Sequence, residues 1–175
     1  VVDLIVDAPC ADLKRRQSLW FDLQEFLIKQ WSRLDEPQKL TAVALAEDLT
    51  GTSQQFLSVY VEETLMSDIP SIDLSGKTLA IYSLTEGAGK RAASVISKQY
   101  PGIDVSLNHD KTATSALINL AEKMDYFVFV SRSAAHQAFY PVTDKRKDLI
   151  YPSGKGSTSI VRAFDEHIQA GLYAF

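Results

Sequence analysis

The stretch Asp125-Tyr126-Phe127-Val128-Phe129-Val130 decides the fold, because it is the clearest strand pattern in the chain. After the acidic residue, the apolar run lacks the alternation with polar residues that marks a half-exposed strand. A strand that is apolar on both faces suits the centre of a parallel sheet, where helices cover both sides. The stretch therefore predicts a parallel sheet between two layers of helices.

Strand and helix patterns alternate on both sides of this stretch. Short apolar runs predict further strands at residues 78–83, 103–107 and 148–151. Helical spacing predicts helices at residues 87–100, 114–124, about 133–140 and 157–168. Such alternation indicates βαβ units with right-handed crossovers. We therefore predict an α/β fold over residues 75–175, a small Rossmann-like parallel sheet of about four strands flanked by helices.

Residues 1–74 show helical periodicity instead. One apolar stripe of an amphipathic helix consists of Trp20, Leu23, Leu27, Trp31 and Leu34. Two more helices are predicted at residues 38–49 and 53–65, and a polar segment with proline and glycine follows at residues 67–76. We expect residues 1–74 to form a three-helix connector or packing segment.

Residues 40–61 have the outline of a DNA-binding helix-turn-helix, with Gly51 in the turn. The helix that would enter the groove, residues 54–63, has no Lys or Arg and ends in Glu62-Glu63. Because contacts to phosphates supply most non-specific affinity for DNA, this helix would repel the duplex. We do not expect direct DNA binding by the N-terminal helices.

Composition and charge indicate a folded protein without a membrane partner. Hydrophobic residues make up 46% of the chain, and no apolar run approaches the roughly 18–20 residues that cross a bilayer. The net charge of −4 divides into −6 over residues 1–85 and +2 over residues 86–175. This division argues against a general nucleic-acid binder but leaves room for a cationic pocket in the second half.

Cys10 is the single cysteine of the chain, which excludes an internal disulfide and suits the reducing cytoplasm. Its neighbours Asp7 and Asp12 disfavour a reactive thiolate, so we do not predict a nucleophile there. The chain opens on Val1 rather than Met. We expect it to be part of a longer protein, with other domains or subunits as partners.

The ends of the predicted strands are the expected ligand site, because ligands bind beyond the carboxyl ends of strands in an open parallel sheet. The first strand runs into Gly87-Ala88-Gly89-Lys90, which is similar to a phosphate loop. However, Leu84 takes the place of the first Walker glycine, and Arg91 takes that of the magnesium-binding Ser or Thr. The glycines either permit a tight turn or leave the helix start open to an anion.

The loop Ser153-Gly154-Lys155-Gly156-Ser157-Thr158-Ser159 is the stronger candidate for an anion site. Its glycines let the backbone approach a ligand, and its hydroxyls, Lys155 and the helix start can donate hydrogen bonds. The alternative is a flexible surface loop that ends in an N-cap. The predicted ligand-binding residues are Glu86, Gly87, Ser131, Ser133, His136, Ser153, Gly154, Lys155, Gly156, Ser157 and Arg162.

His136 is the candidate for catalysis, as a general base near the hydroxyls of Ser131 and Ser133. No nucleophile elbow Gly-x-Ser-x-Gly surrounds either serine, so His136 could equally donate to a ligand or be structural. The pair His109-Asp110 has no second pair of ligands nearby, and we predict no metal site. The sequence identifies no cofactor. The run Lys145-Arg146-Lys147 is typical of a solvated turn.

Several stretches together resemble an uncharacterised bacterial Rossmann-like family, a domain of unknown function often found at the C-terminus of longer proteins. The family pattern has an acidic residue opening an apolar strand, then a Ser and a His, a Lys on the next helix, and a Gly-Ser-rich turn entering the last helix. The resemblance covers roughly residues 77–168 and departs at Glu86-Gly87-Ala88-Gly89, where the family has a glycine pair directly after the strand. The matching positions are Asp125, Ser131, His136, Lys145, Gly156 and Ser159.

These observations predict a ligand-sensing or docking module of a larger bacterial, cytoplasmic protein, which binds a phosphate-bearing or nucleotide-like anion. One alternative is a protein–protein scaffold domain in a multi-subunit assembly that handles nucleic acid or serves antiviral (phage) defence. In that case Trp20 and Trp31, if exposed, would mark the partner surface. The other alternative is a hydrolase or transferase that uses His136 as its base.

Overall fold

The computed structural model describes residues 13–34, 38, 39, 42 and 72–172, and the chain divides into two compact units, residues 1–71 and 72–175. In the first unit, helix α1 spans Leu13–Gln30 and a 3-10 turn spans Trp31–Arg33. None of the helices in the described part of the chain combines the length and the apolar character that a membrane span requires.

Helix α1 confirms the predicted apolar stripe. Trp20 is buried, and the other four members of the stripe are half-buried. Phe21 and Phe26 lie on other faces of the helix and are exposed. The second and third predicted helices lie largely outside the described residues, and the helix-turn-helix outline and Cys10 lie outside them too, apart from Ala42.

The second unit alternates strands and helices, as predicted. Its strands are β1 (Thr78–Tyr82), β2 (Asp104–Asn108) and β3 (Tyr126–Phe129). Its helices are α2 (Glu86–Gln99), α3 (Ser115–Lys123), α4 (His136–Lys145) and α5 (Ser157–Leu172). The strands form one parallel sheet in the order β2-β1-β3. The predicted α/β fold with a parallel sheet flanked by helices is confirmed at this level.

Two layers of helices cover the sheet, and its strands β1 and β3 are apolar on both faces. On one face, Tyr82, Phe127 and Phe129 pack with Leu117 of α3 and Val142 of α4. On the opposite face, α2 and α5 pack against each other and against the strands. There the ring of Tyr126 meets that of Phe164 edge to face, at a centroid distance of 5.5 Å.

The predicted fourth strand is wrong as a strand, because it is reduced to a single parallel bridge between Val128 and Ile150. Ile150 donates to the Phe127 carbonyl oxygen at 2.9 Å and accepts from the Phe129 N–H at 2.9 Å. The next donor of a parallel ladder would be residue 152, which is proline and has no N–H. At the other end, the carbonyl oxygen of Asp125 is bound by the Arg146 guanidinium at 2.6 Å instead of by a strand.

Arg146 corrects the interpretation of residues 145–147 as a solvated turn. Its side chain is only 8% exposed. The guanidinium also donates to the carbonyl oxygen of Met124 at the end of α3, and it lies 2.8 Å from the carboxylate of Asp148. This contact fixes the chain after α4 against the end of α3.

Helix α4 begins later and ends later than the predicted range of about 133–140. A 3-10 turn, Ser131–Ser133, precedes it, and the helix continues through Pro141 to Lys145. As a result, His136 is the first residue of the helix rather than an internal one.

Candidate functional site

Ser131 and His136 line one surface pocket of about 270 Å³ beside the start of α4. The backbone places them there because β3 ends at Phe129 and the 3-10 turn leads directly into the helix. Both side chains are exposed. The remaining lining residues are Ala134, Ala135, Phe139 and Tyr140.

Phe139 and Tyr140 are site residues that the sequence prediction missed. The rings of Phe129 and Tyr82 are stacked at 4.9 Å, Phe139 meets Phe129 edge-on at 5.7 Å, and Tyr140 meets Phe139 edge-on at 5.4 Å. Tyr140 at the end of this series is 66% exposed. The signal was present in the sequence, because residues three and four positions after His136 share its side of a helix.

Ser133 belongs to a different cluster, formed by hydroxyl groups. Its hydroxyl oxygen lies 2.8 Å from that of Thr85 and accepts a hydrogen bond from the Thr85 N–H at 2.9 Å. The Ser133 carbonyl oxygen accepts from the Leu84 N–H at 2.8 Å. The buried hydroxyl of Ser83 lies 3.4 Å from that of Ser133. These bonds join the loops that follow β1 and β3, and Ser133 does not line the His136 pocket.

Glu86 and Gly87 begin helix α2 and are exposed. The Glu86 carboxylate lies 2.6 Å from the Lys90 ammonium group, and this contact lowers the pKa of Glu86. A carboxylate in the first turn already matches the positive end of the helix dipole and would repel an anionic ligand. A methyl group added at Gly87 would lie 3.2 Å from the Arg91 guanidinium, so this glycine fits against that side chain.

The polar side chains after β2 hydrogen-bond to one another and to the start of α3. Thr114 caps α3 by accepting from the Leu117 N–H at 3.2 Å, and its hydroxyl donates to the Asp110 carboxylate. This bond and one from the Asn108 amide at 2.9 Å lower the pKa of Asp110. His109 Nδ1 lies 2.6 Å from the Ser83 carbonyl oxygen. Within the described residues, no three or more His, Cys, Asp or Glu side chains group so that they could hold a metal ion.

The glycine-containing loop leads into α5 without a side-chain cap. The Gly156 carbonyl oxygen accepts from the Ile160 N–H at 3.2 Å, so the residue at the N-cap position has no side chain. Ser157, the first helical residue, is 1% exposed, and its hydroxyl oxygen has no hydrogen-bond partner. A methyl group added at Gly154 would lie 2.6 Å from the Ser159 hydroxyl oxygen, so the loop folds closely over the first turn.

Two other predicted residues of this loop, and one in α5, lie at the surface. Ser153, Lys155 and Arg162 are exposed, and none of them lines the pocket of Ser131 and His136. Besides Glu86 and Gly87 at the start of α2 and Ser133 in the hydroxyl cluster, the predicted residues therefore lie in two further places, the pocket at the start of α4 and the loop and first turns of α5. These two places follow neighbouring positions of the sheet, β3 and Ile150.

Two positions carried by the family resemblance serve structural contacts. The Asp125 carboxylate accepts from the N–H and the hydroxyl of Thr78 at the amino end of the sheet, opposite the loops that follow the strands. These bonds, with that from Lys77, lower the pKa of Asp125 to about 2. Lys145 lies 2.9 Å from the Glu122 carboxylate of α3.

His136 has no hydrogen-bond partner for its imidazole among the described residues, so none of them orients the ring as a base would require. The ring is exposed and free to meet a ligand in the pocket. The arrangement can bind polar or anionic groups through hydroxyls, imidazole and open helix starts.

Comparisons with known proteins give a family. No curated protein and no solved structure matches the chain. A family model described as DpdD-like matches residues 1–163. The match begins well before the resemblance, which covers roughly residues 77–168, and so includes the N-terminal segment. The chain therefore belongs to the DpdD-like family.

Proposed function

We propose that residues 72–175 are a Rossmann-like binding module for a phosphate-bearing, nucleotide-like anion. The observation that carries the proposal is the buried, unpartnered hydroxyl of Ser157 at the uncapped start of α5. A buried hydroxyl without a partner is unfavourable by roughly 1–3 kcal/mol, which a ligand oxygen would relieve. Side chains of a helix lean towards its N-terminus, so this hydroxyl lies near the first free N–H groups of α5.

The four helices that begin at the carboxyl edge of the sheet differ in their caps and first-turn charges, and these differences favour two of them as anion sites. Thr114 caps α3, and Glu86 supplies a negative charge to α2. Helices α4 and α5 have no acidic residue in the first turn, and α4 has no side-chain cap. Their positive ends therefore remain available to an anion. This supports the loop of residues 153–157 and the pocket of His136 over the glycines of residues 87–89.

The loop must move slightly for an anion to reach Ser157. Gly156 and Ser157 are both buried, and the Ser157 hydroxyl oxygen is closed to solvent. Two glycines give this short segment a wide range of backbone conformations. We expect binding to lift Gly154 away from Ser159 and to bring Lys155 towards the bound anion.

Calorimetric titration of the 175-residue chain with inorganic phosphate and with nucleoside monophosphates tests this function. Ser157→Ala should weaken binding by roughly 10- to 150-fold, the range for losing one hydrogen bond to a charged group. Its thermal stability should be unchanged or higher, because the lost hydroxyl had no partner. Ser115→Ala, at the same helical position of the capped helix α3, should bind as the unaltered chain does. Absence of binding by the unaltered chain contradicts the function.

We further propose that the module belongs to a larger cytoplasmic bacterial protein and reports its ligand to that protein. A scaffold role in a nucleic-acid-handling or phage-defence assembly is the second candidate. It is favoured by the exposed Phe21 and Phe26 of α1, which are 64% and 61% exposed, rather than by the buried Trp20. Phe21→Ser with Phe26→Ser should then release a partner subunit during co-purification of the parent assembly. Unchanged co-purification rejects this role.

A further inference from the structure

The pocket at the start of α4 is lined by two chemically different kinds of group. Ser131 and His136 supply a hydroxyl and an imidazole, and Phe139 and Tyr140 supply aromatic rings. All four residues lie between positions 131 and 140, so the 3-10 turn and the first two turns of α4 fix their relative positions. A pocket lined by both aromatic rings and hydrogen-bonding groups suits a planar ligand with polar edges.

The exposed ring of Tyr140 packs against aromatic rings that extend into the core. Its ring meets Phe139 at an interplanar angle of 83°, and Phe139 meets Phe129 at 69°. Phe129 is fully buried and stacked on Tyr82. Phe139 therefore holds one edge of the Tyr140 ring, while 66% of the residue is exposed. Single exposed aromatic residues are common, but this one lines a pocket that also holds polar groups.

We propose that this pocket holds the planar base of a nucleotide, stacked on Tyr140, with Ser131 and His136 bonded to its edge. Aromatic side chains bind bases of any sequence because every base offers a π face. A volume of about 270 Å³ lies just below the roughly 300–1,000 Å³ of pockets for drug-sized ligands. A volume of this size suits one base.

The proposal rests on the anion-binding function and names the class of its ligand. Sugar phosphates and inorganic phosphate would use only the start of α5, whereas a nucleotide would use the pocket too. Neighbouring positions of the sheet, β3 and Ile150, lead into these two places. The base and the phosphate of one ligand would therefore be held by the loops of adjacent strands.

Calorimetric titration with adenosine 5′-monophosphate, cytidine 5′-monophosphate and ribose 5-phosphate tests the proposal on the full 175-residue chain. The two nucleotides should bind roughly 5- to 150-fold more tightly than ribose 5-phosphate, the range expected for stacking one base. Tyr140→Ala should abolish this difference and leave the affinity for ribose 5-phosphate unchanged. Tyr140→Phe keeps the ring and should keep the difference.

Tyr151→Ala is the matched control, because Tyr151 is 48% exposed and contacts Phe129 but does not line the pocket. It should retain the preference for nucleotides. Equal affinity for nucleotides and ribose 5-phosphate in the unaltered chain overturns the base pocket while leaving the anion function standing. Equal losses in Tyr140→Ala and Tyr151→Ala overturn it too, as does binding to a single-stranded oligonucleotide without binding to either mononucleotide. If the unaltered chain binds none of these compounds, both proposals fail.

Discussion

The hydroxyl oxygens of Thr85 and Ser133 lie 2.8 Å apart and join the loops that follow β1 and β3. The sheet order β2-β1-β3 makes the gap between these two strands the point where successive connections run to opposite sides. In many folds of this type a ligand occupies that gap. Here hydrogen bonds from Leu84 and Thr85 to Ser133 cross it.

Removing the Ser133 hydroxyl should therefore lower stability rather than affect ligand binding alone. Ser133→Ala deletes the nearer of two acceptors of the Thr85 N–H, the other being the Ser83 hydroxyl, and also removes the partner of the Thr85 hydroxyl; it should reduce the free energy of unfolding by about 1–2 kcal/mol. Urea denaturation followed by circular dichroism measures the loss. Ser131→Ala, in the same 3-10 turn but exposed, should stay within about 0.5 kcal/mol of the unaltered chain. Equal losses in both variants contradict the assigned role.

Arg146 should be more important to stability than its sequence context suggests. Arg146→Ala leaves the carbonyl oxygens of Met124 and Asp125 without their donors, and we expect a loss of about 2–4 kcal/mol. Lys145→Ala removes only a surface ion pair with Glu122 and should leave the free energy of unfolding nearly unchanged. Chemical denaturation compares the two variants, and a loss in Arg146→Ala no greater than in Lys145→Ala contradicts the buried role.

Asp125 should make stability depend on pH at the acidic end. The pKa of its carboxyl in the folded chain is about 2, below the roughly 3.9 of an unfolded Asp, chiefly because the Thr78 N–H donates to it. Its contribution is therefore present above about pH 4 and is lost as the pH falls through 2. Asp125→Asn should be less stable than the unaltered chain at pH 7, and the gap should close towards pH 2.

Urea midpoints at pH 7, 4 and 2.5 measure this gap. Asp144→Asn is the control, because Asp144 is exposed and makes no hydrogen bond to the described residues. A gap between the unaltered chain and Asp125→Asn that stays constant from pH 7 to pH 2.5 is incompatible with the assigned contacts.

Gly102 should not tolerate a side chain. It has a φ of 89°, and a methyl group there would lie 3.1 Å from the Ser75 Cα. Gly102→Ala should therefore lose about 1–3 kcal/mol of stability from backbone strain and the contact. Gly171→Ala, near the end of α5 with open space around it, should be neutral or slightly stabilising. Thermal unfolding of both variants checks the contrast, which the same shift in each would refute.

Much of the fold was predictable because apolar runs and helical spacing fix elements locally. Strands β1 to β3 lie within one residue of their predicted positions, because each is a short run with strand-type apolar residues. The prediction of a fourth strand was wrong because the length of a strand pairing depends on the hydrogen-bond partners that both strands offer. Pro152 has no N–H to continue the ladder. The Arg146 guanidinium, from a residue that lies outside both strand patterns, donates to the Asp125 carbonyl oxygen where a fourth strand would have donated. A periodicity argument cannot include either effect.

The candidate site was predictable in part. Strand-end loops identified Ser131, His136 and Ser157, because ligand loops of parallel sheets lie at one edge. Ser133 was grouped with His136 on proximity in sequence, but the 3-10 turn directs its hydroxyl to Thr85 instead. Phe139 and Tyr140 were missed because their role depends on how the ring of Phe129 supports them.

The one-residue bridge at Ile150 has a consequence for how copies of this protein meet. A long, open strand at the edge of a sheet is a template on which another chain can add a strand and begin aggregation. Here Ile150 directs its own N–H and carbonyl towards β3, and Pro152 follows two residues later. An incoming chain would find at this edge too short a row of backbone groups for register to be set. The same proline and arginine that shorten the sheet thus protect this edge against intermolecular β-sheet growth.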